Sequence, residues 1–237
     1  MIDSDPKGQY RYPVSDIKDQ DEAPQGIMPS QTVGPYVHIG LTTPGAENLV
    51  DEESMSFAAG DVVDVTFSVT DGAGHRVKDA MIELWHADGQ GIYPSPLDER
   101  SDDGSLKGWN PLLGAGIGRG MADDNGEVTF RTRRPGSTPT TSGASGTTGT
   151  SAAGGDTEAP HLKVGVFARG ILERLYTRAY FPGDELGDDL GADPVLAVVP
   201  EDRRARLVLA EDGENAYRMD IVLQHDDASA ETPFFRV

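Results

Sequence analysis

Apolar and polar residues alternate along several short segments of this chain, and a period of two indicates half-buried β-strands. The clearest segments are 61–69 (DVVDVTFSV) and 127–133 (EVTFRTR), each next to a turn rich in Gly, Asp or Asn. Similar segments lie at 80–87, 162–168, 175–181, 206–209 and 216–223. Short strands separated by turns predict an all-β fold, an antiparallel β-sandwich with long loops and little helix. One short helix is expected from Asp193, with Pro194 in its first turn and Pro200 at its end.

Two stretches lack this pattern. Residues 1–27 are polar and charged without any period, which predicts a flexible N-terminal arm. A Ser/Thr/Gly-rich stretch at about 136–158 predicts a loop insertion, because such a composition cannot bury a core. Strand-like sequence resumes directly after it, so we expect one β-sandwich domain over 28–237 that contains the loop.

The net charge of the chain limits which classes of binding partner it can have. It has 40 acidic and 20 basic residues, a net charge of −20, which repels nucleic acid and anionic membrane surfaces. It has no cysteine, which excludes disulfides, thiolate metal sites and cysteine nucleophiles. No apolar run approaches the roughly 20 residues of a membrane span. The first residues lack the apolar core of a signal peptide, so we expect a cytoplasmic location.

A metal-binding pattern is half present at 159–164 (APHLKV). On a strand, residues i and i+2 share a face, so His-x-His would offer two imidazoles to one metal. The second position is Lys163, whose ammonium group has no free lone pair. By themselves, His161 and Tyr93 are therefore expected to be hydrogen-bonded structural residues. Trp85 and His86 are adjacent on a predicted strand and so face opposite sides, with Trp85 expected in the core and His86 on the solvent or interface side.

Four segments together are more specific than any one of them. They are 29–36 (PSQTVGPY), 82–88 (IELWHAD) with 91–93 (GIY), 159–161 (APH) with 167–170 (FARG), and 176–181 (YTRAYF). In this order and spacing the chain resembles the intradiol ring-cleaving dioxygenases, from about residue 29 to residue 237. Within that family it resembles the non-catalytic alpha subunits of heteromeric members.

The resemblance implies a non-haem Fe(III) held by two tyrosinates and two histidines. Hard, anionic phenolate oxygens stabilise ferric iron, which prepares a bound catecholate for attack by O₂. The four ligand positions fall on Tyr93, Thr138, His161 and Lys163, so two of the ligands are missing. A catalytic-subunit arginine three residues before the first histidine is Glu158 here. The resemblance thus implies that Fe(III) is bound by a homologous beta subunit, in an (αβ)n assembly, and not by this chain.

The same resemblance implies that this chain lines the beta subunit's pocket for an anionic, benzoate-type catechol. The residues concerned are Thr32, Val33, Gly34, Pro35, Tyr36 and Arg169. Gly34 and Pro35 could instead form only a turn, and Arg169 could merely pair with one of the surplus carboxylates. Two other functions stay open from the residues. One is a stand-alone binding module that has lost catalysis, and the other is a self-sufficient intradiol dioxygenase with altered metal ligands.

Overall fold

Two facing β-sheets carry the hydrophobic core in the computed structural model, which describes residues 11–13, 31–34, 36–50, 60–91, 93, 116–139, 157–187 and 190–236. The strands are β1 (Arg11–Pro13), β2 (Val62–Thr70), β3 (Met81–Trp85), β4 (Ile117–Met121), β5 (Glu127–Arg133), β6 (Thr138–Pro139), β7 (Thr157–Glu158), β8 (His161–Phe167), β9 (Leu175–Tyr180), β10 (Ala210–Glu211), β11 (Ala216–Val222) and β12 (Phe234–Arg236). The α-helices are α1 (Val37–Leu41) and α2 (Glu201–Arg204). Short 3₁₀ turns occur at Asp184–Leu186, Leu196–Val198, Ala205–Leu207 and Ala228–Ala230.

The strands form a β-sandwich. One sheet has six strands in the order β1-β12-β9-β8-β3-β4, and the other has four in the order β10-β11-β2-β5. Neighbouring strands are antiparallel except for the pairs β1/β12 and β2/β11. The predicted antiparallel β-sandwich is therefore confirmed. In the described part of the chain, no helix is both long and apolar enough to span a membrane.

Alternation explains how these strands build one core. Every second residue of β2, from Val63 to Val69, is buried, and β8 buries Leu162, Val164 and Val166 in the same way. Phe67 of β2 and Phe130 of β5 meet edge to face, with ring centroids 6.1 Å apart. Burial of each such side chain stabilises the fold by roughly 1.5–3 kcal/mol. The remaining residues of β8 point to the outer face of the six-stranded sheet.

Several elements differ from the sequence prediction. Strand β4 was not predicted, because Gly118 and Gly120 interrupt its alternation. A Cβ at Gly118 would lie 2.5 Å from Leu49, and one at Gly120 would lie 2.3 Å from Val128, so close packing requires glycine. The predicted strand at 206–209 is wrong, since Ala205–Leu207 is a 3₁₀ turn and only an isolated bridge joins Val208 to Tyr180.

The N- and C-terminal parts of the described chain also pair with each other. Strand β1 lies within the segment predicted as a flexible arm, and it runs parallel to β12, with Arg11 opposite Phe234. Neither of these three-residue strands has enough alternation to be predicted alone. The arm is thus joined to the edge of the six-stranded sheet at residues 11–13.

Asp193 begins a helical segment, as predicted. Its side chain accepts hydrogen bonds from the N–H groups of Val195 and Leu196, both at 2.8 Å. The segment is a 3₁₀ turn of three residues, Leu196–Val198. Pro200 then stands at the N-terminal cap of α2. The proline therefore ends one short helical turn and begins the next, which is consistent with its preference for helix starts.

The two ends of the Ser/Thr/Gly-rich stretch pair with each other. Strands β6 and β7 form a two-stranded ladder, with Thr138 opposite Glu158 and Pro139 opposite Thr157. Both Thr138 and Glu158 are buried. Residues 140–156 lie outside the described residues. The insertion thus starts and ends in a small piece of packed sheet.

This pairing allows a sharp test of the insertion. Replacing residues 140–156 with Asn-Gly should preserve the fold, because that dipeptide suits a two-residue hairpin between directly paired strands. Shortening a loop reduces its closure entropy cost, here by about 1–2 kcal/mol, so the thermal midpoint should stay level or rise. Circular dichroism melting would measure it. A midpoint lower by more than about 5 °C would show that the removed residues pack against the domain.

Candidate functional site

Side chains from three adjacent strands meet in one row on the outer face of the six-stranded sheet. The register pairs Trp85 of β3 with Lys163 of β8, and Lys163 with Arg178 of β9. Two residues earlier on β8, His161 is paired with Tyr180. Because paired residues share a face of the sheet, residues far apart in sequence become neighbours here.

Tyr93, from the loop after β3, packs against this row. Its hydroxyl oxygen is 3.4 Å from Nε2 of His161, and its ring centroid is 5.1 Å from that of Trp85. The Nζ of Lys163 lies 4.3 Å from the ring centroid of Tyr93 and 4.9 Å from that of Trp85. These are cation–π distances. Tyr93, His161 and Lys163, which were predicted to share a former metal site, are therefore brought together.

Thr138, the fourth of these positions, reaches the same region on the β6–β7 ladder. Its partner in the ladder is Glu158, whose Oε2 is 3.6 Å from Nε2 of His161. The loop that carries Tyr93 packs closely against this ladder at Gly91. That glycine has φ +79°, and a Cβ there would lie 1.9 Å from the carbonyl oxygen of Ser137. Only glycine fits both conditions.

A buried ion pair lies beside His161. Arg178 donates from Nη1 to Oε2 of Glu158 at 2.7 Å, and the two side chains are only 6% and 8% exposed. The same Nη1 is 3.5 Å from the hydroxyl of Tyr180, which donates to Asp193 at 3.1 Å. The charge of Glu158 was evident from the sequence, whereas a role for Arg178 was not predicted. The available signal was the alternation of β9, which places Arg178 between Tyr176 and Tyr180 on one face.

The predicted pocket residues gather at the opposite end of β8. Thr32 accepts a hydrogen bond from the N–H of Gly170 at 3.0 Å and donates to the carbonyl of Ala168 at 3.5 Å. The segment at 31–34 is thereby joined to the loop that carries Arg169. Arg169 forms an ion pair with Asp79 and remains 61% exposed. At about 3.3 Å per strand residue, roughly 20 Å of β8 separates Arg169 from Lys163.

The rest of this segment is partly exposed. Gly34 has φ +72°, Val33 is 37% exposed and Tyr36 is 74% exposed at the start of α1. Pro35 lies outside the described residues. The positive φ of Gly34 fits the turn that the sequence permits, and the exposed side chains on either side leave an apolar surface.

Comparison with known proteins identifies the family. A family model described as dioxygenase matches residues 33–225. The chain is 33% identical over 218 residues to the protocatechuate 3,4-dioxygenase alpha chain of Pseudomonas putida, covering 87% of this chain and 94% of that one. It is 34% identical over 220 residues to the alpha chain of Burkholderia cepacia, covering 88% and 96%. The beta chain of Burkholderia cepacia is 32% identical over 180 residues, covering 72% and 67%.

The chain belongs to the intradiol dioxygenase family. A solved dioxygenase structure with 16% identity superposes with a TM-score of 0.50 and covers 85% of this chain and 97% of that one, which supports the fold alone. The family implies non-haem Fe(III) as the cofactor of ring cleavage. The predicted membership of the intradiol dioxygenases is therefore confirmed.

Burial keeps the imidazole of His161 and the phenol of Tyr93 uncharged. Burial, followed by the nearby charge of Arg178, holds the pKa of His161 well below its usual range, so the imidazole is neutral. Its Nδ1–H donates to the carbonyl of Ala159 at 2.8 Å, and Nε2 accepts from the hydroxyl of Tyr93. The 3.6 Å contact with Glu158 is therefore not an ion pair. Burial also raises the pKa of Tyr93, which keeps it a neutral phenol.

The residues at the four ligand positions do not fit Fe(III). Ferric iron in this family needs two tyrosinate donors, but Thr138 offers only a hydroxyl at one of those positions. Lys163 offers no lone pair as an ammonium group, although burial followed by the charge of Arg178 lowers its pKa to about 8. Among the described residues, no cluster of three or more histidine, aspartate or glutamate side chains is arranged for a metal ion.

The expected positions of Trp85 and His86 are reversed. His86 is buried, with Nε2 2.6 Å from the hydroxyl of Thr132 and Nδ1 2.6 Å from the carbonyl of Ala87. Burial lowers its pKa, so it is a neutral core histidine. Trp85 is 42% exposed and packs under Lys163. The prediction was wrong because the outer face of this sheet is amphipathic, so hydrophobicity alone did not identify the buried side.

Asp193 holds the start of β8 in place, and its removal should be costly. It accepts hydrogen bonds from three backbone N–H groups, those of Ala159, Val195 and Leu196, as well as from Tyr180. Asp193→Ala should lower the free energy of unfolding by about 3 kcal/mol or more, because these donors would be buried without acceptors. Urea denaturation would measure the loss.

A matched control is Asp227, an exposed carboxylate that caps the 3₁₀ turn Ala228–Ala230 through the N–H of Ser229. Asp227→Ala should have a much smaller effect, because water can replace the lost acceptor. Equal effects of the two substitutions would contradict the special role of Asp193.

Proposed function

We propose that this chain is the alpha, non-iron-binding subunit of a protocatechuate 3,4-dioxygenase. That enzyme would use O₂ to open the ring of protocatechuate between its two hydroxyl-bearing carbons, giving 3-carboxy-cis,cis-muconate in the β-ketoadipate pathway of aromatic catabolism. The observation that carries the proposal is the similarity to two alpha chains over 94% and 96% of their lengths. The cation Lys163 at a ligand position agrees with it.

The iron would be bound by a homologous beta subunit, in an (αβ)n assembly in the cytoplasm. The relatives include both alpha and beta chains of this enzyme, so a pair of homologous subunits is a natural arrangement. Exposed apolar side chains on and beside α1 suit burial against such a partner: Val33, Tyr36, Ile39 and Leu41. The domain at 28–237 would form this contact.

The chain would contribute Thr32, Val33, Gly34, Pro35, Tyr36 and Arg169 to the substrate pocket above the partner's iron. These positions are at the end of β8 away from Tyr93 and His161, so they would serve a centre other than this chain's former metal site. Protocatechuate carries a carboxylate, and Arg169 would offset its charge within a strongly acidic protein.

Co-expression with a beta subunit tests the assignment. The chain alone should retain far less than one iron per chain, because half of the four ligand positions are lost. The co-purified complex should hold one iron per αβ unit, show a visible tyrosinate-to-iron band and cleave protocatechuate. Elemental analysis, absorption spectra and oxygen uptake would measure these properties.

The same experiment separates the alternatives. About one iron per chain in the lone protein would indicate a self-sufficient dioxygenase with altered ligands. A stable, iron-free monomer that does not bind the beta subunit would indicate a stand-alone binding module. Either result would reject the alpha-subunit proposal.

Arg169→Ala should raise KM for protocatechuate in the assembled enzyme while leaving iron content unchanged. A charge-assisted contact to the substrate carboxylate acts alike in the ground and transition states, so its loss appears in KM more than in kcat. The expected rise is about ten- to a hundred-fold. Steady-state oxygen uptake would measure it.

Two variants serve as controls for that measurement. Arg174 is another exposed arginine on the connection to β9, and it pairs with Glu83, so Arg174→Ala should leave KM unchanged. Asp79→Asn removes the present partner of Arg169 and should leave KM level or lower it, because the guanidinium becomes free to meet the substrate. Unaltered kinetics of Arg169→Ala in an intact complex would place Arg169 in a surface ion pair. Loss of assembly would make it an interface residue.

A further inference from the structure

The charges around the former ligand positions have the wrong sign for a metal ion. A metal site presents lone pairs and negative charge to its ion. Here an ammonium group, that of Lys163, and a guanidinium group, that of Arg178, lie on the same face of the sheet, and the carboxylate paired with Arg178 is that of Glu158. The nitrogen that could still donate a lone pair, Nε2 of His161, faces the hydroxyl of Tyr93.

Both cations retain unused capacity to donate hydrogen bonds. The Lys163 ammonium lies over the faces of Tyr93 and Trp85, 4.3 and 4.9 Å from their ring centroids. The Nε of Arg178 is buried and has no hydrogen-bond partner among the described residues. Surplus donors of this kind repel a second cation, since the interior screens charge weakly.

The pairing of Glu158 with Arg178 also gives the charge change at position 158 a structural reason. A carboxylate enclosed on the β6–β7 ladder needs a counter-charge, and Arg178 reaches it from β9 at 2.7 Å. Without Arg178, Glu158 would be a buried anion beside Tyr93 and His161, which is a favourable setting for a metal. Arg178 therefore controls whether these oxygen and nitrogen atoms are available.

We propose that this chain's own cations replace the iron of the family, with Lys163 and Arg178 supplying the positive charge and Glu158 the counter-charge. Metal would then be excluded by two separate features, the missing ligands and the resident guanidinium. The proposal rests on the assignment of Tyr93, Thr138, His161 and Lys163 as former ligand positions. It requires neither the partner subunit nor the substrate pocket.

A direct consequence is that restoring the ligands is not sufficient. The variant Thr138→Tyr with Lys163→His regains two tyrosines and two histidines, yet it keeps Arg178 next to them. We expect it to hold well under one iron per chain. Adding Arg178→Gln should tighten iron binding at least tenfold, because it removes a unit positive charge from a buried site.

The experiment loads the full chain with ferrous ammonium sulfate in air, removes unbound metal and measures iron per chain by elemental analysis. A titration of the visible tyrosinate-to-iron band would give the apparent Kd. The matched control adds Arg174→Gln to the same double variant. It removes the same charge from a solvent-exposed position on the connection just before β9 and should leave the apparent Kd unchanged.

Two outcomes would overturn the proposal. One is a full iron per chain in the double variant, with Arg178 intact. The other is a variant with Arg178→Gln that binds iron no more tightly than the Arg174→Gln control. If the unpaired Glu158 prevents folding, adding Glu158→Gln removes both members of the pair, which is commonly tolerated better than losing one. That folded variant leaves the net charge of the site unchanged, so its apparent Kd should stay near that of the double variant; binding about ten-fold tighter would show that something other than the charge of Arg178 excludes the metal. Because the readout is metal on this chain alone, a negative result leaves the role of Arg169 untouched.

Discussion

A buried charge must be neutralised where it lies, and this constraint organises the outer face of the six-stranded sheet. Glu158 lies on the short β6–β7 ladder, and its carboxylate accepts a hydrogen bond from Arg178 at 2.7 Å. Arg178 in turn approaches Tyr180, whose hydroxyl donates to Asp193. Asp193 accepts hydrogen bonds from the N–H of Ala159, just before β8, and from the N–H of Leu196 in the 3₁₀ turn after Asp193. One chain of polar contacts thus links the ladder, two strands and a helical turn, so its members should not contribute independently to stability.

The length of β8 keeps two groups of candidate site residues apart, one at each end of the strand. Tyr93 and Lys163 lie toward its His161 end, whereas Thr32 contacts the loop that carries Arg169 beyond its Phe167 end. A seven-residue strand cannot bring both groups to one small ligand. In the proposed αβ enzyme, the first group would be internal to this subunit and the second would face the partner. In that enzyme, a lack of iron at the first group would leave the surface offered by the second group unchanged.

Sequence predicted the parts of the fold whose alternation is strong, and failed where packing replaced it. Strands β2, β5, β8 and β11 carry apolar or β-branched residues at every second position. Strand β4 was missed because Gly118 and Gly120 lie where neighbouring side chains leave no room for a Cβ. The strand therefore lacks the apolar side chains from which alternation is recognised. In the site, His161 and Lys163 could be placed on one face by spacing, and the family resemblance added Tyr93 and Thr138. Arg178 was missed because its role depends on the register between β8 and β9, which sequence does not supply.

The substitutions at this site make physical sense only as a group. A lysine at position 163 beside a bound ferric ion would place two cations in a weakly screened interior. An arginine at 178 without Glu158 would be a buried, unpaired guanidinium, and Glu158 without the arginine would be a buried, unpaired carboxylate. The aromatic faces of Trp85 and Tyr93 complete the arrangement, because they accept the lysine without requiring another anion. Three strands, one loop and one ladder therefore each contribute a side chain to an arrangement in which the buried charges have partners.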